Sequence, residues 1–312
     1  MKLSSLSLRD VKGLADQRLS FTSGSSGKPS NLVAVTGPPG AGKTRFLEVI
    51  LAALEVAGPY LGVVRGEDWS YGSRPATIEL GLWLDDEERA LVPSASAPAI
   101  AAVTLSSGGV AAHVDRALSR LLSRYEHTPA AAKREYFADN RQLSWAARAD
   151  GLDALEQSLL RPTRDPHKYA FLPRFLTALR ADANKARAFA ERLEMLSPTV
   201  RYRPAPDEDA TICFRSRGGE GILAPARGLS RSEAEAVVIA ATATLIGLER
   251  SIVFFDTPEL FVPEDRVVSF VQALLKLGHD NQWIFATESA ALLGGLDAST
   301  VIRIEPRAGG AR

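Results

Sequence analysis

Apolar and polar positions are arranged along the chain in patterns that predict several strands. Residues 3–8 and 76–84 alternate between the two classes, which is typical of strands with one buried face. Short, mostly apolar runs rich in β-branched residues indicate more deeply buried strands. These runs are found at 32–36, 252–255, 283–287 and 300–304.

Other segments have the three-to-four-residue apolar spacing of amphipathic helices. Residues 43–58 form one such segment and end at a Gly-Pro pair, which favours a helix end there. A second predicted helix begins at Ser230, and a third covers 265–277.

Residues 113–203 are predicted to be mostly helical and to form an insert, or lid, within a single domain that spans 1–312. Within the insert, residues 174–196 place Phe175, Leu179 and Phe189 on one stripe. We therefore expect one continuous helix, about 33 Å long at 1.5 Å per residue. A helix of this length makes a short insert and not a long coiled-coil arm.

The insert has a charge imbalance that the whole chain lacks. The chain contains 37 Lys+Arg and 37 Asp+Glu, so no global charge indicates a nucleic-acid or membrane partner. Residues 113–203 contain 17 basic and 11 acidic side chains, a net charge of +6. We interpret this surface as a solvated helical face, with a surface that binds DNA or another partner as the alternative.

Cysteine and histidine usage excludes two classes of site. Cys213 is the single cysteine, so a disulfide framework and a cysteine metal cluster are both excluded within one chain. The four histidines show no ligand spacing.

Residues 1–10 lack the apolar core of a signal peptide, and the longest apolar run, 237–248, is too short to span a bilayer. We therefore expect a cytoplasmic protein with no membrane partner.

The stretch "GPPGAGKT" (37–44) fits the phosphate-binding pattern G-x-x-x-x-G-K-[ST] at every position. Its glycines let the backbone curl so that N–H groups point at phosphate oxygens, and the next helix directs its positive dipole end to the same place. Lys43 is expected to reach the β- and γ-phosphates, and Thr44 to bind Mg²⁺. The predicted residues of this site are Gly37, Pro38, Pro39, Gly40, Ala41, Gly42, Lys43, Thr44 and Arg45.

The stretch "SIVFFDTPEL" (251–260) has four apolar residues that lead into Asp256, the predicted second ligand of Mg²⁺. Asp256 follows Lys43 by 213 residues. Such a separation is a mark of ABC-type ATPases, since the corresponding strand usually follows far sooner in AAA+ and RecA-like motors. A GTPase is not favoured, because "NKAR" (184–187) lacks the aspartate of the guanine-selecting motif.

The stretch "GLSRSEAEAV" (228–237) begins the helix that precedes Asp256. Ser230 and Glu233 have the spacing of a capping box, in which Ser230 caps the helix. The stretch also resembles the ABC signature, in which Leu-Ser opens a helix whose amino end and serine bind a γ-phosphate. The two interpretations are compatible, because the same capped helix end can meet phosphate.

Together these motifs resemble those of the ABC-type ATPases of the SMC, RecF and OLD group, and in particular its compact members, the AAA-type ATP-binding proteins. The resemblance implies an α/β P-loop NTPase fold with an SMC-head-like mixed sheet, an antiparallel subdomain and a short helical insert. Residues 72–88 correspond to the antiparallel region, and "REYFADNRQL" (134–143) to the segment before the lid. The resemblance also implies a homodimer or higher oligomer, in which Ser230 meets ATP held by another protomer.

The chain departs from this family at its catalytic positions. Thr257 stands where the family has the glutamate that orients the attacking water, and Glu288 replaces the switch histidine. Ser232 replaces the signature glycine, and no glutamine between 59 and 100 can serve as the usual Q-loop ligand. Glu288 and Glu259 are the candidate substitutes for the missing base. For Glu288 the alternative is a surface residue that caps the segment after it.

Three functions are compatible with these residues. The first is a slow ATPase in which Lys43, Asp256, Glu288 or Glu259 act on Mg-ATP and turnover regulates a protein effector. The second is a non-hydrolysing, ATP-gated assembly or scaffold module, for example in a defence or genome-maintenance complex. The third is a DNA-repair-type ATPase whose basic insert touches nucleic acid.

Overall fold

The computed structural model describes residues 1–22, 27–59, 63–93, 95–123, 133–141, 160–203, 213–216, 222–223 and 229–306. Within them the strands are β1 (Lys2–Arg9), β2 (Gln17–Ser20), β3 (Leu32–Thr36), β4 (Ala76–Trp83), β5 (Ala99–Ser106), β6 (Gly109–Val114), β7 (Lys133–Phe137), β8 (Val200–Arg203), β9 (Cys213–Ser216), β10 (Ile222–Leu223), β11 (Ser251–Asp256), β12 (Gln282–Ala286) and β13 (Val301–Arg303). The α-helices are α1 (Lys43–Ala57), α2 (Asp86–Leu91), α3 (Arg116–Leu122), α4 (Leu172–Ala178), α5 (Ala183–Leu196), α6 (Arg231–Ile246), α7 (Glu264–Leu275) and α8 (Ala290–Gly294).

A parallel sheet with the strand order β13-β3-β12-β11-β7 forms the centre of the fold. Its register pairs Asp256 with Ala286 and Ala286 with Val35, so the carboxyl ends of β3, β11 and β12 lie at one edge. Strand β7 runs beside β11 in the same direction and ends at the same edge. In open parallel sheets, ligands bind outside this edge. The topology therefore brings four loops from distant parts of the chain together.

A second sheet, antiparallel with the order β2-β1-β4-β5-β6, covers α1 on the side away from the parallel sheet. Strand β4 shows the alternation that its sequence predicts: Ile78 and Leu80 are buried, whereas Thr77 and Glu79 are exposed. One hydrophobic core thus joins both sheets through α1. The predicted antiparallel subdomain is present.

The other face of the parallel sheet packs on α4, α5, α6 and α7 and forms a second hydrophobic core. Strand β11 is buried throughout because its alternate side chains enter the two cores. Phe255 contributes to the second core and lies 5.8 Å from the ring of Phe285. The buried strands predicted from apolar runs are thus explained by helices on both faces of the sheet.

Two predictions for the insert were wrong. Lys133–Phe137 is a strand of the central sheet and not part of a helical lid. The single helix expected over 174–196 is divided into α4 and α5, because Asp182 caps α5 by accepting a hydrogen bond from the Lys185 N–H at 2.9 Å. The rest of the insert includes residues 124–132 and 142–159, which lie outside the described residues.

No helix in the described ranges is long and apolar enough to cross a membrane.

Candidate functional site

The loop between β3 and α1 has a backbone shaped for close approach by a ligand. Gly40 and Gly42 have φ angles of +78° and +91°, in the left-handed region that favours glycine. Gly42 is the N-cap of α1 and supplies no side-chain hydrogen bond to its first turn. The amino end of α1 therefore presents backbone N–H donors and a positive dipole end, the usual components of a phosphate site.

The ammonium group of Lys43 turns back over this loop. It donates hydrogen bonds to the carbonyl oxygens of Gly37 at 2.9 Å and Pro38 at 3.2 Å. A third bond, at 2.5 Å, goes to Oε1 of Glu288, which follows β12 at the same sheet edge. The ammonium therefore already contacts an anionic oxygen, as it would contact a phosphate oxygen. The structure thus brings two predicted site residues into contact.

Thr44 and Asp256 also meet, although they are far apart in the chain. The Thr44 hydroxyl donates to Oδ2 of Asp256 at 2.7 Å. The other carboxylate oxygen, Oδ1, accepts a hydrogen bond from the Thr257 hydroxyl at 3.2 Å. Burial raises the pKa of the Asp256 carboxyl, whereas these two hydrogen bonds act in the opposite direction. A hydroxyl beside a carboxylate is the type of oxygen donor set that Mg²⁺ accepts, so the residues fit this ion.

The backbone turns sharply after Asp256. Thr257 has a φ angle of +52°, which is unfavourable for a β-branched residue. Its N–H donates to the carbonyl of Ala286 at 2.8 Å, and its carbonyl accepts from Arg141 at 2.8 Å. The position that carries glutamate in the family that these motifs resemble is therefore a strained threonine. A main-chain hydrogen bond holds its N–H, and the Arg141 side chain holds its carbonyl.

Glu259 lies beside the loop that carries Glu288. Its carboxylate accepts hydrogen bonds from the Thr287 hydroxyl at 2.9 Å and from the Glu288 N–H at 2.7 Å. One carboxylate oxygen thus orients the backbone at Glu288, and the other holds the Thr287 hydroxyl. Of the two predicted substitute bases, Glu288 contacts Lys43 of the phosphate loop. Glu259 contacts the backbone N–H of Glu288.

Ser230 is the N-cap of α6, as its sequence predicts. Its side chain accepts from the Glu233 N–H, and the Glu233 carboxylate accepts from the Ser230 N–H at 2.8 Å, which completes a capping box. Ser230 is exposed, and within the described residues its hydrogen bonds are local to this turn. The contact with ATP on another protomer stays a prediction.

Arg45, a predicted member of the phosphate site, directs its side chain elsewhere. Its guanidinium donates to the carbonyl oxygens of Lys12 and Asp68 and lies 4.6 Å from the ring centroid of Trp69. Arg45 therefore ties two loops to the start of α1. Its contribution to a phosphate cradle would come from its main-chain N–H.

The sequence interpretation missed several charged residues that line this edge. Asp139 lies two residues beyond β7, the neighbour of β11, and its charge raises the pKa of the Asp256 carboxyl. Arg164 forms ion pairs with Asp139 and, at 3.3 Å, with Glu48 of α1. The signal was present in "REYFAD", a short run with aromatic residues that ends in a carboxylate. The prediction of a helical insert over 113–203 includes this segment and therefore hides the strand.

Arg141, two residues beyond Asp139, was also missed. Its guanidinium is fully buried and donates to the carbonyl oxygens of Ala138 at 2.7 Å, Asp256 at 2.6 Å and Thr257 at 2.8 Å. It also forms an ion pair with Glu235 of α6. Arg141 thus connects the loop after β7, the end of β11 and helix α6.

Comparison with known proteins identifies the fold. No protein-family model matches the sequence, and no curated protein matches it. An SMC head bound to the C-winged helix domain of ScpA is similar in structure, with a TM-score of 0.60 and 13% identity over 98% of this chain and 95% of that chain. An SMC head with an extended coiled coil, bound to the C-terminal domain of ScpA derived from Pyrococcus furiosus, has a TM-score of 0.57 and 14% identity over 98% and 94% of the two chains.

The SMC head domain from Thermotoga maritima is also similar, with a TM-score of 0.50 and 17% identity over 98% of this chain and 99% of that chain. At these identities the likeness establishes the fold. The chain therefore has the mixed α/β P-loop fold of an SMC head, which confirms the fold class that its motifs implied.

Proposed function

We propose that this chain binds Mg-ATP, assembles around it with a second copy, and hydrolyses it slowly to regulate a protein partner. The observation that carries the proposal is the 2.7 Å hydrogen bond between Thr44 and Asp256, next to the Lys43 ammonium. A hydroxyl, a carboxylate and an ammonium meet at the amino end of a helix, on a fold shared with SMC heads. This set of groups suits a triphosphate with a divalent cation.

Each residue has a specific role in this proposal. The loop N–H groups and Lys43 hold the phosphates, and Thr44 and Asp256 hold Mg²⁺. A bound Mg²⁺ would neutralise phosphate charge. For Lys43 to engage phosphate, Glu288 must release its 2.5 Å contact. The freed carboxylate then lies at the edge of the site, where it can orient water or accept its proton.

Assembly is proposed to use the amino end of α6. Ser230 is exposed at the start of this 16-residue helix, whose dipole favours an anion. A second protomer could place its bound γ-phosphate there. Two of the similar SMC heads are bound to domains of ScpA. By analogy, a protein partner is proposed here and a membrane partner is not.

A non-hydrolysing, ATP-gated assembly module is the second candidate. The observation that favours it is the threonine at position 257, because a hydroxyl cannot act as a base near neutral pH. In this case the bound nucleotide would hold a complex together without turnover. DNA binding by the basic insert is a third candidate, tested by capture of DNA that weakens with salt.

The test is titration with a labelled, non-hydrolysable ATP analogue, combined with steady-state turnover in Mg²⁺. Lys43→Ala should remove most binding, and chelation of Mg²⁺ should weaken binding in the wild type. Lys28→Ala is the matched control, because Lys28 is exposed and precedes β3 at the opposite edge of the sheet. Normal binding by a folded Lys43→Ala variant would refute the site. Wild-type turnover no faster than that of Lys43→Ala would leave the ATP-gated module.

A further inference from the structure

Arg141 occupies a point where three structural elements meet. It follows β7, and its guanidinium reaches the loop carbonyl of Ala138 and the carbonyls of Asp256 and Thr257 at the end of β11. Its Nε donates to the carboxylate of Glu235 on α6. One buried side chain therefore links the metal-ligand strand with the helix whose exposed N-cap is Ser230.

The contacts of Arg141 require a guanidinium. Its planar fork supplies several N–H donors in fixed directions, which lets it serve three carbonyls and a carboxylate at once. The carbon at the centre of the guanidinium also lies 4.3 Å from the ring centroid of Phe255, the residue before Asp256 in β11. A lysine ammonium has three donors at one point and cannot reproduce this geometry.

The carbonyl bonds of Arg141 act on a strained part of the backbone. Thr257 has a φ angle of +52°. Its N–H is bonded to the Ala286 carbonyl, and its own carbonyl accepts from Arg141. Such a conformation persists where its surroundings hold it. Arg141 therefore helps to set the direction in which the Asp256 and Thr257 side chains point.

The carboxylate of Glu235 depends on this arginine. Glu235 is buried in the second turn of α6, and its Oε2 has no hydrogen-bond partner within the described residues. Burial raises the pKa of Glu235, whereas the Arg141 charge lowers it. A buried carboxylate with one ionic partner responds strongly when that partner shifts, because no other group replaces the lost contact.

We propose that Arg141 is a positioning residue that couples the backbone at Asp256 and Thr257 to helix α6 through Glu235. A change at the metal ligand is then transmitted to the helix end that carries Ser230. This inference rests on the proposed function, because the change is the one that nucleotide binding would impose. It adds the route by which the site within one chain reaches its assembly surface.

The test follows amide hydrogen exchange with and without a non-hydrolysable ATP analogue and Mg²⁺. In the wild type, we expect the analogue to slow exchange both at residues 40–46 and in the first turns of α6. In Arg141→Lys, the protection of α6 should fall by about tenfold while that of residues 40–46 persists, because the buried pair is broken. Glu235→Gln, which keeps the side-chain shape, should lose part of the α6 protection.

Arg134→Lys is the matched control. Arg134 lies on β7, the strand that Arg141 follows, and is equally buried. It pairs with Glu55 at 2.5 Å and donates to the carbonyls of Leu54 and Gly58. These three contacts are with the last turn of α1 and the glycine that follows it, at the end of the helix away from Thr44, so this variant should lose stability but keep the α6 response. Thermal unfolding of each variant identifies any that fails to fold, and Glu235→Gln then carries the test in place of Arg141→Lys.

The outcomes separate the inference from the proposed function. If the wild type shows no protection of residues 40–46, nucleotide binding itself fails. If these residues are protected but α6 is not, or if both variants protect α6 as Arg134→Lys does, only the coupling is refuted. If Arg141 and Glu235 act through one contact, the double variant should lose no more α6 protection than Arg141→Lys alone.

Discussion

Replacement of Glu288 by glutamine should raise ATP affinity and lower turnover in the same protein. The carboxylate accepts a 2.5 Å hydrogen bond from Lys43, which also donates to Gly37 and Pro38. Before Lys43 can bind phosphate, this ion pair must separate. Glutamine keeps the size of the side chain and an accepting oxygen but removes the charge, so phosphate meets a weaker competitor.

The magnitude follows from the exposure of the two side chains. Lys43 is 12% exposed, but Glu288 is 52% exposed, so water screens the pair. A pair of this kind contributes about 0.2–1 kcal/mol. Its loss should strengthen ATP binding by up to about fivefold. If Glu288 also orients or deprotonates the water, turnover should fall by about 10²–10⁴-fold, an effect much larger than the change in affinity.

The assay combines titration with a labelled ATP analogue and steady-state turnover at saturating ATP. Glu87→Gln is the matched control, because Glu87 pairs with Arg250 at 2.7 Å on the outer surface and is 77% exposed. This control should change neither quantity. Glu288→Gln with wild-type affinity and wild-type turnover would refute both roles and leave Glu288 as a surface residue at the start of α8. Weaker binding would show that the carboxylate supports nucleotide binding instead of competing with it.

Three further substitutions test other parts of the site. Thr257→Glu should increase turnover at least about tenfold if the site lacks only a group that orients water, and unchanged kinetics would refute this. Ser230→Arg should block ATP-driven self-association in sedimentation while nucleotide binding persists, with the alternative cap Ser230→Asn as control; equal assembly would leave Ser230 as a cap only. Burial raises the pKa of Asp256 in the folded protein above its value in the unfolded chain. The folded protein therefore loses stability as the pH rises from the unfolded-state pKa to the folded-state pKa, and this loss persists at higher pH. Asp256→Asn should therefore raise the melting temperature of the nucleotide-free protein at neutral pH while Mg²⁺-dependent binding is lost, and an unchanged or lower melting temperature would contradict the sign.

The phosphate loop and its partner strand were predictable because their signals are local. The pattern at 37–44 is contiguous, and Asp256 ends an apolar run. Their meeting in space follows from the rule that parallel strands present their carboxyl ends at one edge. Thr44 and Asp256, each predicted as a Mg²⁺ ligand, are joined by a hydrogen bond although they lie 212 positions apart. Their role as ligands stays a prediction.

The hydrophobic pattern does not predict strand β7, because the strand contains buried charged residues. These residues form ion pairs with distant parts of the chain. Arg134 and Glu135 are buried in the strand, where they pair with Glu55 and Arg161. In the sequence they look like surface residues of a helix. The missed strand explains why Asp139 and Arg141, which its end positions beside Asp256, were missed as well.

The break between α4 and α5 was hidden for a different reason. The apolar stripe from Phe175 to Phe189 continues through the break, and both aromatic rings enter the same core, 5.8 Å apart. Periodicity therefore indicated one helix. Asp182 is a strong N-cap residue and indicates that a new helix begins there, but the continuous stripe favours a single helix.

The order of strands in the parallel sheet also determines when the site can form during protein synthesis. Strand β3, which carries the phosphate loop, pairs with β12 and β13, and these come from the last part of the chain. A ribosome makes β3 early but supplies its neighbours only some 250 residues later, at a rate of about 5–20 residues per second. For about ten seconds or longer after its synthesis, the loop therefore lacks the sheet that supports it. Nascent chains that end before residue 282 should lack a formed phosphate site, so nucleotide capture by such chains reports the completion of folding.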